Sequence, residues 1–109
     1  MFKIDRTPEF SRRVEIKVPA DGGHEVQEIT ATFRVLPDEE IEGFDQRTAR
    51  GEREFLCAAI THLDDVADES GKSLPYSDAL RDRVIGLAYV RVALINAYYA
   101  ALMGARVKN

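Results

Sequence analysis

The sequence predicts an α+β fold: an N-terminal antiparallel β-hairpin over about 10–36, then a three-helix bundle over about 37–104 ending in a long C-terminal helix. Three observations carry this expectation. Apolar residues alternate with polar ones on both sides of a glycine-rich turn near the N-terminus. From Pro37 onward they recur at helical spacing instead. Residues 84–103 then hold one charge in twenty positions. At 109 residues the chain suits a single domain spanning 1–109.

The hairpin is read from "RVEIKVPADGG", where Val14, Ile16 and Val18 alternate with Glu15 and Lys17. Pro19 should stop the ladder, and Gly22 and Gly23 can supply the positive φ of a turn. The return run "EITATFRVL" puts Ile29, Ala31, Phe33 and Val35 on one face. Val26 is out of phase with them, which predicts a bulge around His24–Glu28.

The helical part opens at "PDEEIEGFDQRTA", whose acids suit the positive end of a helix dipole. Ile41, Phe44 and Thr48 would share its narrow apolar face, and Gly51 marks a break. "EREFLCAAITHLDDV" spaces Phe55, Leu56, Ala59, Ile60 and Leu63 as a second helix. Ser77 has the character of an N-cap, with Asp78 in the first turn of a last helix running to about Gly104.

Composition narrows the function classes. The lone cysteine, Cys57, cannot form an internal disulfide, which fits a reducing compartment. The N-terminus has no apolar run of signal-peptide length. The net charge of −4 conceals an asymmetry: residues 37–70 carry eleven acids against three bases, and residues 71–109 six bases against two acids. The acidic block repels a phosphate backbone and the bases are not striped, so a nucleic-acid groove is not expected. Charge complementarity would instead pack the acidic segment beside the basic helix.

Catalytic constellations are not apparent. "DDVADESGKSLPYSDAL" (64–80) resembles a cation loop in composition. With Gly71 at the glycine position of an EF-hand, however, Val66 and Ser77 fall where the first and last ligands belong. The stretch therefore reads as a helix-to-helix connector. Cys57 and His62 lie about 140° apart around a helix, so they do not share a face. His24 sits in the hairpin, and no nucleotide-binding or nucleophile-elbow motif occurs. No enzyme activity, metal or cofactor is expected.

The stretch "VIGLAYVRVALINAYYAALM" (84–103) has the length of a membrane span, but Arg91 near its middle and tyrosines at 89, 98 and 99 argue against one. Read as one soluble helix it carries three stripes. Leu80, Val84, Leu87, Leu94, Tyr98 and Leu102 form the first. Val90, Ala93, Ala97 and Ala100 form a small-residue stripe that admits a close neighbour. Ile85, Tyr89, Val92, Asn96, Tyr99 and Met103 form the third. A helix apolar around its girth should be buried all round. Either the rest of this chain covers the third stripe or a second chain does, each large side chain left wet forgoing about 1.5–3 kcal/mol. Ile85, Tyr89, Val92, Tyr99 and Met103 are accordingly the candidate partner-binding residues. Arg91 needs a partner, either an acid from the 37–70 block or water reached by snorkelling.

The ordered set of motifs resembles the small tail assembly chaperones of long-tailed, lambda-like bacteriophages and prophages. It comprises an N-terminal "FKIDRTPEF", a strand ending in "PADGG", a second strand "ATFRVL", an acidic helix, an aliphatic helix running into "DDVADESGKSLPYS", and an Ala/Tyr-rich final helix ending in "KN". Members often carry a tryptophan before the "D-x-V" part, where this chain has Thr61, His62 and Leu63. The resemblance implies a non-enzymatic protein of the host bacterial cytoplasm. It would bind the helical tape measure protein, assist the major tail tube protein, and be absent from the finished virion. The alternative is a structural head–tail or tail completion subunit retained in the particle. Self-association is a further possibility, and neither nucleic acid nor membrane is an expected partner.

Overall fold

The alternation read at 14–18 and 29–35 becomes a long hairpin in the computed structural model, which describes residues 1–4 and 7–104. Strand β1 (Glu9–Ala20) pairs antiparallel with β2 (Gly23–Arg34) from Glu9↔Arg34 to Ala20↔Gly23 without a slip in register. Gly22 at φ 81° and Gly23 at φ 150° make the turn. The bulge expected around His24–Glu28 is not there. Gly23–Glu28 are all exposed, so this part of β2 has no buried face whose phase must be kept, and Val26 opposite Lys17 needs no bulge. Pro19 does not stop the ladder either. It pairs with His24 at a position whose missing N–H would point off the sheet edge. The arm helps stretch the molecule to 47 × 34 × 28 Å.

A third strand corrects the helical reading of residues 52–66. Helix α2 (Ala49–Ala59) passes straight into β3 (Ile60–Asp64), which pairs antiparallel with β2 to give the order β1-β2-β3. Ile60 and Leu63 are both buried, although a spacing of three puts residues of a regular strand on opposite faces. A bulge reconciles them: Phe33 pairs with Ile60 and Thr32 with His62, leaving Thr61 as the extra residue.

The first helix is also shorter than expected. Helix α1 (Asp38–Ile41) is a single turn after Pro37, and turns occupy 42–48. Gly51 is not the break; it lies in the first turn of α2, whose N-cap Thr48 accepts a bond from the Gly51 N–H at 2.9 Å. Glycine is required there by a close approach, since a Cβ would stand 1.7 Å from the Asp45 carbonyl oxygen. Ser77 caps α3 (Asp78–Ile85) through the Leu80 N–H, as the sequence suggested. The long final helix is interrupted. After α3 the chain bends by 103° through Gly86 and extended Leu87 before α4 (Ala88–Leu102). Among the described residues no single helix is long and apolar enough to cross a membrane.

The core lies between the sheet and the helices. Val14, Ile16, Ile29, Ala31, Phe33 and Leu63 meet Phe55, Leu56, Val90 and Leu94 in one buried cluster. Tyr98 is fully buried at its aromatic centre, edge-on to Phe33 at 5.7 Å and to Phe55 at 5.1 Å. Its hydroxyl accepts the Leu36 N–H at 2.9 Å, tying α4 to the end of the hairpin. Burial pushes that hydroxyl above its ordinary pKa.

Candidate groove between strand β1 and helix α4

Helix α4 lies along β1, an edge strand of the sheet. Between them opens a groove of about 640 Å³, with Arg13, Glu15 and Lys17 on the strand side. The helix side is Tyr89, Val92, Ala93, Asn96, Ala97 and Ala100. The wall is apolar because α4 turns Val90, Leu94 and Tyr98 into the core and leaves the rest of its small-residue stripe, half-buried Ala93 and Ala97 and exposed Ala100, with part of the third stripe, on the groove side. The strand side is charged because the side chains at 13, 15 and 17 occupy the wet face of the alternation that buries Val14 and Ile16.

The five residues expected to bind a partner do not stay together. Ile85 is 1% exposed and belongs to the core, so it is withdrawn from the site. The bend at Gly86–Leu87 separates it from the stripe it would share on one straight helix. Tyr99 is half-buried, stacked on Phe55 at 5.8 Å, with its hydroxyl accepting from Gln46 Nε2 at 3.0 Å. Met103 is 71% exposed at the C-cap of α4 but does not line the groove. Tyr89 and Val92 do, and Val92 is 55% exposed. The strand residues Arg13, Glu15 and Lys17 were missed. Their wet-face alternation was legible, but the sequence holds no signal for which sheet edge α4 follows.

Arg91, the lone charge of the apolar stretch, sits behind this wall and is 6% exposed. Its Nε donates to Glu52 Oε1 at 2.9 Å, an acid of the 37–70 block as anticipated. Its Nη1 donates to the Ile85 carbonyl at 3.0 Å, satisfying one of the acceptors left open at the end of α3. One guanidinium thus holds the corner from which α4 departs toward β1.

The other residues weighed for chemistry are scattered. Cys57 places its sulfur 3.6 Å from Asp82 Oδ1, and burial holds its thiol above the ordinary pKa, away from the reactive thiolate. His62 is on β3, hydrogen-bonded to Asp64 at 3.0 Å and packed against Tyr76. The acidic stretch connects β3 to α3 rather than two helices. Asp68 Oδ1 accepts from the Ser70 N–H, the Ser70 hydroxyl and the Lys72 N–H, so its carboxylate is engaged by its own turn, which holds its pKa down. Among the described residues no three His, Cys, Asp or Glu side chains gather as a metal site.

No family model matches the chain, and no curated protein or solved structure matches it. The groove's own geometry therefore carries the functional argument, together with the motif resemblance.

Proposed function

We propose that this protein is a non-enzymatic tail assembly chaperone of a long-tailed bacteriophage or prophage, acting in the host cytoplasm. Its client is the tape measure protein, with the tail tube protein as a second contact. In this reading α2, α3 and α4 act as a small three-helix bundle laid on the sheet. The client lays the apolar face of a helix into the groove between α4 and β1.

The observation that supports this most is an open apolar helix wall beside an unpaired strand edge, with Val92 left 55% exposed. Small side chains at Ala93, Ala97 and Ala100 leave room for a helix backbone to approach. Arg13, Glu15 and Lys17 on the opposite rim provide polar orientation.

Co-expression with the tape measure protein tests the assignment. Val92→Asp and Tyr89→Ser should each weaken co-purification by about tenfold or more, as loss of a contact at the centre of an interface does. Val26→Ser, an equally exposed valine at the hairpin tip, should leave it unchanged. Undiminished capture by the groove variants, with their melting curves intact, would remove the site. Mass spectrometry of purified virions separates the chaperone reading from a retained completion subunit, because a chaperone should be missing from them.

A further inference from the structure

Strand β1 has a free edge whose charges complement a second copy of themselves. The hairpin closes on Ala20↔Gly23 around a two-residue turn, which makes that pair the hydrogen-bonded one. Counting back by twos, the even-numbered residues of β1 bond to β2. Ser11, Arg13, Glu15 and Lys17 turn their backbone N–H and C=O groups outward, toward the side of the groove. A strand of twelve residues is long for an unpaired edge, and its register shows no bulge to blunt it.

The wet face of this edge is also unbalanced. Glu15 stands directly opposite Glu28, and like charges so placed repel. Arg13 is ion-paired with Glu28, not with Glu15. Among the described residues Glu15 has no cation within ion-pair distance.

We propose that a second copy of this chain occupies the β1 edge, antiparallel, about a two-fold axis at Val14. That register sets Arg13 opposite Glu15 of the second copy, twice by symmetry, and Ser11 opposite Lys17. Moving the axis to Glu15 sets that acid against itself and Arg13 against Lys17. Moving it to Arg13 sets two guanidiniums together. Charge thus rules out both of these; an axis at Ile16 would also match Glu15, to Lys17, but pairs only residues 12–20, whereas the Val14 register pairs 9–19 and so uses more of the strand. The Ser11 carbonyl now accepts from Arg12 Nη1 at 2.9 Å, a bond the second strand replaces. The two sheets join into one of six strands. Both α4 helices lie on the same side of it, facing each other through the small-residue wall of Ala93, Ala97 and Ala100. This goes beyond the chaperone reading, and it makes a second copy and a client helix competitors for one groove.

Light scattering coupled to gel filtration, over a concentration series without any client, tests it. The wild-type protein should approach a two-chain mass as concentration rises. Glu15→Arg relieves the repulsion with Glu28, so its melting temperature should not fall, yet it should raise the dimer dissociation constant by about tenfold or more. The double swap Arg13→Glu with Glu15→Arg restores the complementarity and should restore the dimer. Glu15→Pro removes an outward N–H without touching the ladder to β2 and should also dissociate it. A one-chain mass at every concentration, assembly beyond two chains, or a dimer indifferent to Glu15→Arg would each overturn the proposal. None of these outcomes depends on tape measure binding.

Discussion

Tyr98 shows how one hydroxyl joins distant parts of the chain. Its ring fills the space between Phe33 and Phe55, and its oxygen accepts the Leu36 N–H across 62 positions of sequence. Tyr98→Phe keeps the ring and leaves that N–H without its partner, costing about 1–2 kcal/mol in urea unfolding at neutral pH. The pH dependence follows from burial, which raises the folded-state pKa of the phenol. A group with a raised folded pKa contributes its full stability below the unfolded value, about 10, and loses it as pH rises through the folded value. The wild type should therefore lose stability above that pH more steeply than Tyr98→Phe. Parallel alkaline profiles for the two proteins would contradict the assignment.

At the scale of elements, the corner between α3 and α4 decides where the groove lies. Arg91 bonds Glu52 on α2 and the Ile85 carbonyl at the end of α3, with only 7% of its side chain exposed. Removing one partner of such a pair leaves a charge buried without compensation. Glu52→Ala should cost about 3 kcal/mol, the low end for a buried pair because Glu52 itself keeps some solvent contact. Arg91→Met, which removes the buried charge and keeps apolar volume, should cost less; the reverse order in denaturant melts would show that the pair does not hold the corner. The same region shows where sequence reading stopped. The run Ile85, Tyr89, Val92, Asn96, Tyr99 has helical spacing only if the helix is continuous, and a glycine at 86 is too common inside helices to announce a 103° bend. Strand β3 was hidden for a similar reason. Phe55, Leu56, Ala59, Ile60 and Leu63 satisfy a helical period, and only the bulge at Thr61 lets Ile60 and Leu63 face one core from a strand. The hairpin and the Ser77 cap were legible because each rests on local chemistry; the acid partner of Arg91, 39 positions away, could be expected only from the cost of burying an unpaired charge, and which acid it would be was not readable.

For the whole molecule, one layer of helices covers one face of a three-stranded sheet, and the β1 edge with the outer face of α4 stays open. The apolar excess of the C-terminal stretch is thus largely absorbed inside, through Ile85, Val90, Leu94 and Tyr98. What remains outside is Val92 beside the unpaired strand, and Leu87, Leu102 and Met103 at the two ends of α4. In the proposed function, this division is what lets a small chain keep its fold and still offer the Val92 side of α4 to a client. The most direct test of that claim is backbone amide exchange, measured on the dilute protein alone and again with tape measure protein added. Exchange should slow at Arg13, Glu15 and Lys17 and along Val92–Ala100. Protection confined to the hairpin tip, to β3 or to the connector before α3 would contradict it.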